Sequence, residues 1–127
     1  MFVHANMGMK GGNLVLNKAV LVGRIVQEPQ LNETSNGTKV SNITLAVSRN
    51  FRNQKGEYDT DFISCVLWKG VAERTTRYCK KGDLVGVSGR ITTRTVEDGS
   101  DNFYNCTEVI ADNVTFLSSK RKEEVDE

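Results

Sequence analysis

The chain has 127 residues, 38% of them apolar, and a formal net charge of +1. That size suits one domain with one modest core, and no window approaches a membrane span of about 20 apolar residues. The near-zero charge carries no global signal for a polyanionic partner, so any recognition of phosphate has to be local.

The opening MFVHANMGMKGGN has no apolar h-region followed by a cleavage site, so residues 1–13 are expected to be a flexible leader rather than a secretory signal. From Leu16 to Val26 the chain is rich in β-branched residues and predicts a strand, with Gly23 where a barrel strand must bend or admit another backbone. Pro29 ends that run, and Asn36-Gly37 is a hairpin signal. Lys39 to Phe51 alternates, with Ile43, Leu45 and Val47 on one face and Asn42, Thr44 and Ser48 on the other. After a turn at Gly56, Asp61–Lys69 (DFISCVLWK) predicts a third strand. Both of its faces are apolar. Ile63, Cys65 and Leu67 form the more uniform set and are assigned to the core, which leaves Phe62, Ser64, Val66 and Trp68 outside.

Gly70–Asp83 changes character. Val71, Ala72, Tyr78 and Cys79 recur at helical spacing, basic residues gather near the end, and Gly82 is placed as a C-cap. Leu84–Val96 predicts a fourth strand with Val85, Val87 and Ile91 inward and Ser88, Arg90, Thr92 and Arg94 outward. The loop EDGSDN leads to a fifth strand, FYNCTEVIADNVTFL, and residues 118–127 form a charged tail expected to be disordered. Three strands, one helix and two strands, with bulge-prone glycines, predict an all-β, five-stranded Greek-key barrel of the OB-fold kind, the helix lying between strands 3 and 4. An open α+β sandwich is the structural alternative. The domain is expected to span 14–117.

Catalysis lacks its parts. The only histidine, His4, lies in the leader, so no Ser/His or Cys/His pair can be built from the folded region. Cys65, Cys79 and Cys106 have neither CxxC spacing nor a histidine cluster, which argues for reduced thiols in a cytosol-like compartment and against zinc or disulfides. Carboxylates such as Asp59 with Asp61, or Glu97, Asp98 and Asp101, sit at turns and strand ends and read as solvated. No phosphate-cradling loop with its lysine-and-hydroxyl ending is present. The N-x-T triplets at Asn32, Asn36, Asn42, Asn105 and Asn113 would need export to be glycosylated, and several fall inside predicted strands. No enzyme, cofactor or metal is expected.

Binding fares better. Outward Phe62 and Trp68, outward Arg90 and Arg94, and nearby Arg49, Arg52, Lys55 and Lys69 supply what unpaired nucleic acid needs: π-faces for bases and cations for phosphates. A duplex reader would need a helix for the groove, and the single helix is committed to closing the barrel. The plainer reading stays open beside this one. Exposed strand aromatics also cover barrel ends, lie under loops or meet a second subunit, and the two arginines could be merely solvated. Phe51 shares parity with Ile43 and Leu45, so alternation makes it core unless the strand bulges near Arg49.

Five segments in order, LNKAVLVGRIVQEP, SNITLAVSRNF, TDFISCVLWKGVAE, YCKKGDLVGVSGRITTR and TEVIADNVTFL, closely resemble the bacterial-type single-stranded DNA-binding protein family over residues 14–117. The resemblance implies an OB-fold subunit in a homotetramer, with single-stranded DNA wrapped over its surface with little sequence preference. It further implies protection of single strands in replication, recombination and repair, in the cytoplasm on the nucleoid. By the same resemblance the stacking aromatics fall on Phe51, Phe62 and Trp68, which favours the bulged strand at Phe51. The basic contacts fall on Lys18, Arg49, Arg52, Lys69, Arg90 and Arg94. Two departures stand out. A further aromatic usual near the end of the fourth strand is Val96 here, with Phe103 or Tyr104 as possible substitutes. The chain also stops at KRKEEVDE, without the acidic-hydrophobic tip through which the family recruits replication and repair proteins. Competing readings are a primosomal accessory module acting through protein interfaces and an RNA-binding OB module.

Overall fold

The computed structural model describes residues 14–119; the expected leader, including His4, and the charged tail beyond Ser119 lie outside the described residues. The elements are β1 (Ala19–Ile25), β2 (Asn32–Glu33), β3 (Lys39–Arg52), β4 (Tyr58–Trp68), α1 (Lys69–Tyr78), β5 (Leu84–Glu97) and β6 (Phe103–Ser118). The five long strands and the helix follow the predicted order, and the two-residue β2 adds a short flap paired with the start of β3.

The strands run β1-β5-β6-β4-β3-β2, and a second pairing of β1 with β3 closes the sheet into a barrel. Every ladder is antiparallel except β4 with β6, which are parallel through Cys65–Val109 and Leu67–Ala111. This is the five-stranded OB-fold. Closure depends on Gly23. A Cβ there would sit 2.6 Å from the carbonyl oxygen of Ala46, so only glycine lets β1 turn from β5 onto β3. The core is Ile25, Ile43, Leu45, Cys65, Leu67, Val85, Val87, Val109 and Ala111, one face of each strand, with Ala72 and Cys79 from the helical segment. Helix α1 buries Ala72 and Thr75 and packs against β3, β4 and β6.

Several expectations are corrected. The helix stops at Tyr78 rather than Asp83, and Gly82 does not cap it. Residues 80–83 instead form a turn in which Asp83 N–H donates to the Lys80 carbonyl, Lys80 N–H donates to the Asp83 carboxylate, and Gly82 takes a φ of 92°. Glycine at the third position of such a turn is the type II signature. Tyr78, which shares the helical spacing of Val71, Ala72 and Cys79, is exposed.

Ile91 is 47% exposed rather than core. The β5–β6 register shifts between Ser88 and Gly89, and the β1 ladder ends at Ala19–Gly89, so β5 leaves the barrel just before Ile91. A Cβ on Gly89 would lie 2.1 Å from the Ile110 carbonyl oxygen, which is why the crossing point is a glycine. Asn17 straps this departure: its side-chain amide donates to the Ile91 carbonyl at 2.8 Å and accepts the Ile91 N–H at 2.9 Å. The predicted first strand is correspondingly short, since Leu14, Val15 and Leu16 are exposed and precede it.

Val66 lies on the outer face as alternation requires, yet it is buried. It has a paired strand on each side, opposite Asn42 of β3 and Ile110 of β6, whose side chains flank this short β-branched one. The outer face of β4 is thus open at Phe62, Ser64 and Trp68 and closed at Val66.

Candidate nucleic-acid interface

Phe62 and Trp68 share the outer face of β4, with 68% and 38% of their surface exposed. Six residues of strand place them about 20 Å apart. Phe62 stands opposite Ala46, whose methyl leaves the ring uncovered, and Trp68 stands opposite Val40. Trp68 also ends β4 and is the extended residue that precedes α1, with Lys69 following at a left-handed φ of 54°. The strand pairing and this tight junction together fix the direction of the indole.

Phe51 is 60% exposed, so simple parity fails and the bulged-strand expectation holds. Pairing runs from Ser48–Thr60 to Arg52–Tyr58, which sets residues 49–51 against Asp59 alone. Past Val47 there is no core left to cover, and β3 and β4 continue as an arm whose residues are exposed. The arm turns at 53–56, where the Asn53 side chain accepts the N–H groups of Lys55 and Glu57 and Gly56 takes a φ of 81°. The Arg52 guanidinium lies 5.3 Å from the centre of the Tyr58 ring and stiffens the same arm.

On β5 and β6 the outward residues after the bulge are Arg90, Thr92, Arg94 and Val96, opposite Ile110, Glu108, Cys106 and Tyr104. Opposed residues of a pair share a face. The aliphatic Val96 therefore has Tyr104, 52% exposed, directly beside it, whereas Phe103 pairs with Glu97 and faces the other way. Phe62, Ser64, Ile91 and Glu108 line one cleft of about 310 Å³ between β4 and β5–β6, which joins the aromatic of β4 to the arginine strand.

The cations are less free than the sequence suggests. Arg49 donates through Nη2 to Asp61 Oδ1 at 2.9 Å and through Nε to Oδ2 at 3.1 Å, with Asp59 at 3.9 Å. Arg94 grips Glu108 the same way, two bonds of 3.1 Å, and the Glu108 side chain is only 11% exposed. Lys18 lies 3.6 Å from Asp112. Arg52, Lys69 and Arg90 make no ion pair among the described residues. The hydrogen bond from Arg49 holds the Asp61 carboxyl below the usual carboxylate range, and the bonds to Asp61 and Glu108 raise both guanidinium groups further.

Asp61 stands at a predicted strand end and Glu108 within the predicted fifth strand, and neither position by itself marks an ion-pair partner. Both ion pairs are diagonal across antiparallel strands, Arg49 with the partner of Val47 and Arg94 with the partner of Thr92. The signal becomes visible only once the strand register is known. Among the described residues no group of histidine, cysteine and carboxylate side chains could hold a metal ion, and no helix is long and apolar enough to cross a membrane.

The single-strand binding protein family matches residues 16–117. The chain is 47% identical over 109 residues to single-stranded DNA-binding protein B of Bacillus subtilis, covering 86% of this chain and 96% of that protein. The chain belongs to the single-strand binding protein family. A second member, the single-stranded DNA-binding protein of Halalkalibacterium halodurans, is 48% identical over 106 residues, which span 84% of this chain but 63% of that relative. Among solved structures, the Plasmodium falciparum SSB complex with ssDNA superposes with a TM-score of 0.73 at 28% identity, covering 85% of this chain and all of the other. The family's fold is thus the barrel described above. The resemblance stated for residues 14–117 holds over nearly the same span.

Proposed function

We propose that this chain binds single-stranded DNA with little sequence preference, bases stacking on Phe62, Trp68 and Phe51 while Lys18, Arg49, Arg52, Lys69, Arg90 and Arg94 neutralise phosphates. The observation that carries the reading is the pair of exposed rings on one face of β4, of which Phe62 lines a cleft shared with Ile91 of the arginine strand and with Glu108, the partner of Arg94. Rings that stand about 20 Å apart on one strand suit an extended strand of nucleotides rather than a compact ligand. Stacking is indifferent to base identity because every base has a π-face. Tyr104, beside Val96, takes the place of the missing fourth-strand aromatic. The relatives whose names specify single-stranded DNA support the same ligand. The protein acts as a binding protein rather than an enzyme, as a homotetramer in the cytoplasm that protects single strands during replication, recombination and repair.

Titration with oligo-dT while following Trp68 fluorescence tests this directly. Binding is expected to be micromolar or tighter, with the indole quenched as a base stacks on it and affinity falling as salt rises. An unchanged Trp68 signal at saturation removes that residue from the site. Competition by oligo-rU as strong as by oligo-dT would reassign the ligand to single-stranded nucleic acid in general, since stacking does not distinguish the sugars.

A further inference from the structure

Two of the arginines assigned to phosphate are already occupied by fixed anions. In each pair the guanidinium donates Nε and Nη2 to both oxygens of one carboxylate, Arg49 to Asp61 and Arg94 to Glu108. That two-pronged edge is the one an arginine presents to a phosphate, because carboxylate and phosphate offer the same spacing of acceptors. Of five guanidinium donors, two are spent in each case. The carboxylates are not incidental neighbours: Arg49 has Asp59 behind Asp61, and Glu108 sits in the cleft that Phe62 lines, its side chain nearly covered. A third cation, Lys18, faces Asp112.

Resting on the single-stranded DNA reading above, we propose that Asp61 and Glu108 are resident competitors of the DNA phosphates: a phosphate reaches Arg49 or Arg94 only by displacing a carboxylate from the guanidinium edge. Each such exchange leaves a freed carboxylate that takes up a cation from solution. It therefore cancels much of the counterion release that a phosphate contact otherwise brings. The carboxylates hold the guanidinium groups in place in the free protein and weaken the bound state, so the face grips DNA less tightly and with less sensitivity to salt than its cations alone would give. This differs from a positioning role, in which the carboxylate would aim the arginine and its loss would weaken binding.

The test is oligo-dT affinity over a range of salt for the wild type, D61N, E108Q and R49A, each checked for native circular dichroism. R49A is expected to weaken binding. D61N is expected to tighten it several-fold at low salt, with the gain fading as salt rises. The slope of log K against log salt should steepen by up to about 0.7, the release per phosphate on a single strand. E108Q should do the same at Arg94; because Glu108 is nearly covered and its variant could disturb folding, exposed Asp61 carries the decision. If D61N binds more weakly than wild type, Asp61 positions Arg49 and the competition is overturned. If D61N leaves both affinity and slope unchanged while wild type binds oligo-dT, the competition is likewise overturned and the DNA reading stands. If wild type itself fails to bind oligo-dT, the DNA reading falls and the competition with it.

Discussion

Phe62 and Trp68 owe their exposure to what stands opposite them. An alanine faces the first ring, and the second lies at the strand's end where the chain turns into α1. Replacing either with alanine removes a stacking surface without touching the core, so each variant should fold normally and lose about 1–3 kcal/mol of oligo-dT binding. If both variants kept affinity within a few tenths of that unit, the stacking reading would be wrong. The cysteines make a separate test. Burial pushes the Cys65 thiol up to about 11, and Cys79 is raised by burial and by Asp83, whereas Cys106 is partly exposed on the outer face of β6. Thiolate, not thiol, reacts. Iodoacetamide at pH 8 should label Cys106 alone in the native protein and all three cysteines in denaturant.

Asp61 also gives stability an acid dependence whose sign is fixed. Its folded-state pKa lies below the unfolded value of about 3.9, so the unfolded chain takes up the proton first as pH falls. The contribution is present in full above the unfolded pKa and is lost as pH drops through the lower, folded one. Arg49 and Asp59, the charged groups facing it, do not reverse that order: the arginine stays charged and the second carboxylate is more distant. In urea unfolding between pH 2 and 6, wild type and D61N should differ at the upper end and converge at the lower. A difference that held constant across the range would contradict the assignment.

At the scale of elements, what could be read from sequence divides cleanly by whether a strand stays in the barrel. The inward set of β4 and the first half of β3 followed alternation because a closed core polices register: one slip would expose every apolar side chain. The order of strands, the single helix and the closing role of Gly23 were legible for the same reason. Where strands leave the core, alternation lost its meaning. Ile91 belongs to the inward parity yet stands past the bulge, and Phe51 belongs to it yet lies on the arm. The opposition of Val96 and Tyr104 has no local signature, and where the β5–β6 register shifts is likewise set by the partner strand. Gly89 did carry a hint, as an isolated glycine in a strand pattern. G89A should therefore be costly: the Ile110 carbonyl oxygen lies 2.1 Å from the added carbon, and the clash is with backbone that cannot rotate away. Overpacking of this kind costs about 1–3 kcal/mol, or a fall of roughly 4–8 °C in melting temperature per kcal/mol in a domain of this size. Gly37, at a φ of 87° with open space around it, is the control: G37A strains only the turn and should cost less.

For the whole molecule, the outer surface of β1 and its neighbours poses a problem of water exposure. Val20 and Val22 point away from the core, opposite Ser88 and Gly86 of β5, and Leu117 of β6 lies over Gly86, within 3.8 Å of where its Cβ would be. A lone exposed apolar residue means little, but the valines of β1 and Leu117 of β6, flanking Gly86 of β5 from both sides, make a patch of the kind that associates. It lies over β1, β5 and β6, whereas Phe62 and Trp68 stand on β4, so subunits could join here while leaving those rings free. The assembly should then scatter light at roughly four times the mass of the 14.1 kDa chain. V22E should lower that mass, because a carboxylate forced into a closed apolar contact has no partner and costs several kcal/mol. The substitution adds no clash within the barrel, so circular dichroism should be unchanged and a short oligo-dT should still quench Trp68. Long oligonucleotides, which need several subunits at once, should lose affinity more than short ones, since linked sites bind cooperatively through effective concentration. If V22E keeps the native mass, the interface lies elsewhere. If it unfolds the chain, V22T, which keeps the shape and adds only a hydroxyl, should show a smaller shift in mass under the same conditions.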